Sequence, residues 1–383
     1  MQRLSRGFQN FLARGDLVLL FLCLLATGFG CVIIASATHY TGSSRYIVVQ
    51  LLAMLLGIVA YMFLTNLDLA VLAERREFLF AFNVGMLLLL IPFGTDNGTG
   101  NRSWLDIPGF PVYIQAAEIC KITYTILLAK VLQIHQQNIS SLRSIAAISF
   151  HLAALVGLNL GLSRDAGVSL IFVFITLVMA FVAGVKLWWF LGALLVVGTL
   201  VPVALPMLPS YQRNRLLVLF DPTIDPNGLD ERWHMVRSLR SLTGGGLTGQ
   251  GLFQGSRTQA GALNAQHTDF IFSAIGEELG LLGCLLTLLL LLAVISRVVY
   301  VGIKSPDYMS RLVCLGTAAA LIFQVCINVG MCIGVAPVIG ITLPFISYGG
   351  SSIVSMYLAM GMVSSVYAHP SPGAQDRYIR CRR

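Results

Sequence analysis

The chain has 383 residues, 56% of them hydrophobic and only 11% charged, with a formal net charge of +8. Soluble domains carry roughly 25% charged residues, so this balance excludes an ordinary globular protein and predicts an all-α polytopic membrane protein. The basic excess does not imply nucleic acid as a partner, because the lysines and arginines are scattered over loops and tails rather than gathered on one segment.

A hydrocarbon layer about 30 Å thick takes roughly 20 apolar residues per helix. About ten such runs can be marked, near 17-36, 47-65, 78-93, 113-133, 145-161, 167-184, 187-206, 270-295, 311-334 and 350-367. Arg3, Arg6 and Arg14 precede the first run as in a signal peptide, but no small-residue cleavage site follows and a second span comes at once, so the first is read as retained. The first two spans hold almost nothing ionisable and read as lipid-facing or packing helices. Apart from Cys381 the eight cysteines fall inside apolar runs, which suggests neither a disulfide framework nor a metal motif.

Orientation follows from the loops. With the N-terminus in the cytoplasm, Arg75, Arg76, Arg143, Lys186, Arg297, Lys304, Arg311 and the basic tail fall on the same side, as the positive-inside rule asks. An even number of spans returns the C-terminus there. The long stretch 207-269 then lies outside, as a loop within a single transmembrane domain covering 1-383.

Between the third and fourth runs, a Gly/Asn-rich outer loop ends at Arg102 and Trp104. Trp104 serves either as an interfacial anchor or as a wall of a substrate groove. The fourth run opens with Gln115, Glu118 and Lys121, which spacings of three place on one helical face. They form a structural ion pair or face a wet cavity, where ionisable residues inside spans normally point. Asp165 heads the next apolar run, as an N-cap or a site residue.

In the long loop, Pro206, Pro209, Pro222 and Pro226 forbid one continuous helix, and the segment reads as broken amphipathic pieces lying on the membrane. Arg213 and Arg215 sit there beside leucines, suited to a diphosphate or to anionic headgroups. The glycine cluster from Gly244 to Gly251 is not a phosphate loop, because Leu252 stands where that motif requires Lys. It reads as a hinge or tight turn.

Where the loop meets the eighth run stands Gln266-His267-Thr268-Asp269-Phe270, an imidazole and a carboxylate at a membrane surface. A carboxylate there is costly, which marks Asp269 as functional. On an ideal helix Glu277 lies about 80° round from Asp269 and Glu278 about opposite, so Glu277 alone is expected to share its cavity. The ninth run holds Gln324 and Asn328 one turn apart. After it, Gly334 to Ser352 carries two prolines, repeated glycines and Ser347-Tyr-Gly-Gly-Ser-Ser, the pattern of a rigid re-entrant turn.

His267-Thr-Asp-Phe-Ile-Phe272, Gly276-Glu-Glu-Leu-Gly280 and Pro337-Val-Ile-Gly-Ile-Thr-Leu-Pro-Phe-Ile-Ser-Tyr-Gly-Gly-Ser-Ser352 together resemble the SEDS family (RodA, FtsW, SpoVE) over essentially the whole chain. Gly255-Ser-Arg-Thr-Gln259 is most similar to the RodA branch. The resemblance implies a peptidoglycan glycosyltransferase in the bacterial plasma membrane that polymerises lipid II for elongation or division, with a class B penicillin-binding protein as partner. It matches Asp269 to the family's essential acid, and Trp104, Gln115, Glu118 and Lys121 to its other polar signature. Gln115-Ala-Ala-Glu118 stands where the family usually has Gln-Pro-Ser-Glu, and Arg102-Ser-Trp104 where it has Arg-Arg-Trp.

Asp269 is then expected to be the base that activates a sugar hydroxyl, with His267 and Ser347 beside it on the substrate. Lys121, Arg213 and Arg215 are the candidates for neutralising the departing diphosphate, aided by a divalent cation, Mg or Mn, held without a dedicated protein metal site. No organic cofactor is expected. A flippase or transporter of the same lipid is the rival reading, since transporters also bury ionisable groups; a non-catalytic scaffold is a third.

Overall fold

In a computed structural model the described residues are 11-96, 101-106, 113-204, 206, 213-214, 217-219, 221-225, 227, 232-263 and 265-370. Arg215 lies outside them. The principal helices are α1 (Leu17–Ala37), α2 (Arg45–Thr65), α3 (Leu69–Glu74), α4 (Arg76–Leu88) continued by α5 (Leu90–Phe93), α6 (Ala116–Ile134), α7 (Leu142–Leu162), α8 (Ala166–Val182) and α9 (Leu187–Ala204). After the long loop come α10 (Trp233–Gly244), α11 (Ser256–Gln259), α12 (Ile271–Lys304), α13 (Tyr308–Cys332) and α14 (Gly350–Ala368).

Among the described residues seven helical segments are long and apolar enough to span a membrane: α1, α2, α4 with α5, α7, α12, α13 and α14. The apolar helices α8 and α9 are shorter, and α6 carries three charges along its length, Glu118, Lys121 and Lys130. The sequence-expected layout of ten spans corresponds to these segments one for one. The eighth runs further than expected, to Lys304.

Polar side chains set the helix starts. Asp16 accepts the Leu19 amide at 3.0 Å, Asp165 that of Val168 at 3.0 Å and Asp307 that of Ser310 at 2.9 Å, each satisfying an amide the first turn leaves free. Asp16 also takes a two-pronged ion pair from Arg297 near the end of α12, with Nε at 2.9 Å from Oδ2 and Nη2 at 2.9 Å from Oδ1. The first span is thus tied to the eighth at the end away from Asp269.

Small residues bring helices together, as expected where lipid supplies no hydrophobic drive between them. A Cβ on Gly361 of α14 would lie 2.8 Å from the Tyr61 backbone of α2, and one on Gly30 of α1 would lie 2.7 Å from the Ile346 carbonyl. A short antiparallel sheet, β1 (Gly94–Thr95), β2 (Trp104–Leu105) and β3 (Ile114–Gln115), caps the bundle and pairs Trp104 with Gln115.

The described part of the long loop makes specific contacts with the bundle. Helix α10 packs on protein: the Ser238 hydroxyl meets that of Ser273 at 2.5 Å and donates to the Cys332 carbonyl at 3.0 Å. Of the two readings of the glycine cluster, the tight turn holds: residues 245–248 form a turn, closed by the Gly249 amide on the Gly245 carbonyl at 2.8 Å, and it docks on α12. At Gly280 the α12 backbone leaves helical geometry (φ 65°, ψ −162°). The amides of Leu281 and Leu282 turn to the carbonyls of Gly246 and Leu247, while the carbonyls of Glu277 and Glu278 accept from Gln250 and Gly251, all at 3.0 to 3.2 Å. Two helical hydrogen bonds are exchanged for four to the loop, leaving the chain kinked and its backbone satisfied.

Gly280→Ala therefore carries two burdens, a left-handed φ and a Cβ driven onto Gly249 N and the Leu247 carbonyl. We expect a loss of roughly 2–4 kcal/mol, read as a lower melting temperature in detergent. Gly246→Ala also has a positive φ, with open space around the new methyl, and should lose only about 1 kcal/mol. Equal effects of the two would remove the packing half of this account.

Candidate active site

Asp269 lies in an irregular segment just before α12, against the re-entrant stretch between α13 and α14. Irregular backbone at this level persists only when protein groups satisfy it, and three side chains do so. The Asn328 amide of α13 donates to the Asp269 carbonyl at 2.8 Å and to the Ile341 carbonyl at 2.7 Å. The Ser347 hydroxyl donates to the Thr268 carbonyl at 2.6 Å and accepts the Leu343 amide at 2.9 Å. From α2, Gln50 donates to the Ser347 carbonyl at 3.3 Å and accepts the Gly349 amide at 3.2 Å. The Tyr348 amide closes the joint on the His267 carbonyl at 2.8 Å.

This mount leaves the half-buried Asp269 carboxylate without a hydrogen-bond partner among the described residues. Gly340 forms the wall beside it: a Cβ there would lie in ordinary contact, 3.6 Å from Oδ2, while its φ of 71° favours glycine. Burial, and secondarily the negative charge of Asp165, push its pKa up to about 6. The neighbouring His267 ring lies against Tyr46 and Tyr348, with centroids 4.8 and 5.5 Å apart. Its Nδ1 is buried without a partner, and burial lowers its pKa, which favours the neutral ring near pH 7.

Asp165 is the N-cap of α8. Besides capping α8 it accepts from Ser103 and Gln115, each at 3.3 Å, and Asn159 donates to its carbonyl at 2.9 Å. Burial raises its pKa despite the cap. Through Gln115 and its strand partner Trp104, the β-sheet is joined to the acid pair.

Glu118 and Lys121 do pair, at 2.7 Å, and both are buried. The Ser355 hydroxyl donates to the second Glu118 oxygen at 2.7 Å. The pair also lines a cavity of about 30 Å³ between α6, α13 and α14, which Gln324 and Thr317 line too. The ion-pair and cavity readings therefore both describe this cluster.

Other expectations need correcting. Glu277 does not share the Asp269 cavity. Its carboxylate accepts the amides of Arg257 and Thr258 at 2.7 and 3.1 Å and the Thr258 hydroxyl at 2.8 Å, fixing α11. Glu278 accepts from Ser36 at 2.5 Å and from Gln259 at 2.9 Å. Arg102 is turned from the site: its Nε donates to the Gly94 carbonyl at 2.8 Å and its Nη2 to that of Ile91 at 3.1 Å, capping the end of α5. Among the described residues no contact joins Arg213 to Asp269. The first two spans are more than packing helices, since they supply Ser36 and Gln50. An isolated amide such as Gln50 in a run of apolar residues was the available signal.

A carboxylate held half-buried and unpartnered, on backbone clamped from three spans, defines a membrane protein with a prepared polar site rather than a passive bundle. The family model described as "Cell cycle protein" (FtsW/RodA/SpoVE) matches residues 16–371. The chain belongs to this family. It is 33% identical over 360 residues to stage V sporulation protein E of Bacillus subtilis, covering 92% of this chain and 96% of the relative. It is 30% identical over 316 residues to the peptidoglycan glycosyltransferase MrdB of Escherichia coli K12, covering 82% and 83%. Among solved structures, a chain from a peptidoglycan synthase complex that coordinates polymerization and crosslinking superposes with a TM-score of 0.79 at 30% identity, covering 95% of this chain and 98% of that one.

Asn328→Leu leaves two carbonyls without their shared donor, and should lower stability by roughly 2–4 kcal/mol as read by detergent melting. Because it loosens the mount, it should also displace the Asp269 titration. In difference infrared spectra the protonated-carboxyl band that Asp269→Asn removes should have its midpoint near pH 6 in the unaltered protein. A midpoint at the ordinary carboxylate value would refute the burial described here.

Proposed function

We propose that this chain is a peptidoglycan glycosyltransferase that polymerises lipid II into glycan strands for elongation or division, releasing polyprenyl diphosphate, with Asp269 as general base. The observation that carries the reading is the unpartnered Asp269 carboxylate on its clamped mount, with a pKa near 6, in a chain of this family. A base poised near the working pH combines a large deprotonated fraction with useful basicity.

In this reading Asp269 takes the proton of the acceptor 4-hydroxyl as its oxygen attacks the donor's anomeric carbon. One available carboxylate suits inversion by analogy with glycoside hydrolases, since the Asp165 oxygens are engaged by its cap, Ser103 and Gln115. Neutral His267 and Trp104 would flank the sugars, while the buried Ser347, expected on the substrate, instead holds the backbone beneath Asp269. The cation for the leaving diphosphate is proposed to come from Lys121 or the arginines of the long loop, Arg213 and Arg215. Among the described residues no three His, Cys, Asp or Glu side chains converge as metal ligands. We assign any magnesium or manganese requirement to the substrate's diphosphate.

The proposed setting is the bacterial plasma membrane, with both termini cytoplasmic and Asp269 at the outer face. Arg76, Arg143, Lys186, Lys304 and Arg311 gather at the opposite helix ends, which supports this sidedness. The structural relative from a polymerising and crosslinking complex supports a class B penicillin-binding protein as partner.

The test is polymerisation of purified lipid II with and without that partner. Asp269→Asn should lower the rate at least about 100-fold. The base works deprotonated, so activity should be full above pH 6, fall as pH drops through about 6, and show that limb at lower pH in Asp165→Asn, where the neighbouring charge is gone. Unchanged polymerisation by Asp269→Asn would reject the assignment.

A further inference from the structure

A second polar cavity lies at the other end of the bundle, and the site described above does not use it. Helix α6 starts beside Gln115 and Asp165 and runs away from Asp269, ending at His135. There it meets the start of α4 and the first half of α7 around a crevice of about 340 Å³. Arg76, Glu77 and Phe80 line it from α4, His135 from the end of α6, and Ala147 and His151 from α7.

The donors and acceptors in this crevice are specific. The His151 Nδ1 is 2.7 Å from the Ala147 carbonyl, an oxygen that can only accept, so that nitrogen carries the proton. The Ser144 hydroxyl donates to the Asn138 carbonyl at 2.8 Å, leaving its oxygen to accept from His135 Nδ1 at 3.0 Å. Whenever either ring is neutral its Nε2 is then an acceptor, and neither Nε2 has a partner among the described residues. Arg76 spends its Nε on Glu77 at 2.8 Å, which neutralises that carboxylate and leaves the terminal guanidinium nitrogens for an anion.

The crevice thus offers the free end of the Arg76 guanidinium for a negatively charged group beside the two histidine rings. Its inner wall is apolar. The Phe80 ring packs against Phe150 and His151 at 5.7 and 5.2 Å between centroids, and Phe150 is 60% exposed on the bundle's outer surface. His151 lies nine residues into α7, about 13 Å along it, so the crevice runs from the helix ends into the apolar layer. An arginine at the end of a span, with apolar surface beside it, can take an anionic lipid headgroup.

We propose that this crevice binds one anionic phospholipid whose headgroup also carries hydroxyls, as phosphatidylglycerol does. The phosphate sits on Arg76, the glycerol hydroxyls donate to Nε2 of His135 and His151, and an acyl chain lies along Phe80 and Phe150. Such a lipid joins α4, α6 and α7 where the described protein contacts leave space between them.

The test is native mass spectrometry of the full-length protein in detergent, titrated with dioleoyl phosphatidylglycerol, dioleoyl phosphatidylcholine or inorganic phosphate, with melting temperature measured alongside. Unaltered protein should retain one phosphatidylglycerol more tightly than phosphatidylcholine, and inorganic phosphate should not displace it. Arg76→Gln, a change at an exposed side chain, should weaken that binding about fivefold. Ala147→Phe, which fills the crevice from α7, should abolish it. Phosphatidylcholine bound as tightly, displacement by inorganic phosphate, or undiminished phosphatidylglycerol binding in both variants would overturn the proposal.

Discussion

One side-chain amide holds the site together. Asn328 has two N–H bonds, and it spends them on the carbonyls of Asp269 and Ile341, which belong to two irregular segments, one just before α12 and one between α13 and α14. Backbone of this kind cannot face lipid unsatisfied, so each segment is stable only where the other is present. Ser347 and Gln50 extend the same logic, each donating to one carbonyl and accepting one amide. These paired contacts absorb the backbone's hydrogen-bonding needs and leave the Asp269 carboxylate free. An acid whose oxygens were consumed by its own support, as those of Glu277 are, could not act on a ligand.

The contrast between the acids near α12 shows how far a sequence reaches. Asp269, Glu277 and Glu278 are alike in type and close in number, and helical geometry sorted them by angle alone. The structure sorts them by what the loop before α12 brings. That loop delivers the α11 amides to Glu277 and Gln259 to Glu278, a tertiary fact with no periodic signature. The spans themselves were legible because a bilayer demands long apolar runs. Glu118 and Lys121 were legible as a pair because three residues is less than one turn.

What stayed hidden depended on contacts between residues distant in sequence. Arg102 was marked for an anion because arginines bind anions, yet it sits eight residues after the carbonyl of Gly94 and folds back onto it. Gln50 and Ser36 looked incidental in apolar helices, because their partners lie some 200 to 300 residues away. The glycine cluster was recognised as unusual, but the close backbone approach it permits requires knowing that α12 is its counterpart.

That junction has a mechanical meaning. Because the exchanged hydrogen bonds at Gly280 couple the long loop to α12, the nine residues from Ile271 to Leu279 form a lever about 13 Å long, with Asp269 mounted just beyond its tip. A tilt of about 5° around Gly280 carries the carboxylate roughly 1 Å, a displacement of the size that separates productive from idle alignment of reacting groups. A force applied to the long loop therefore meets α12 at Gly280 through backbone hydrogen bonds, with no soft side chain between them to absorb it.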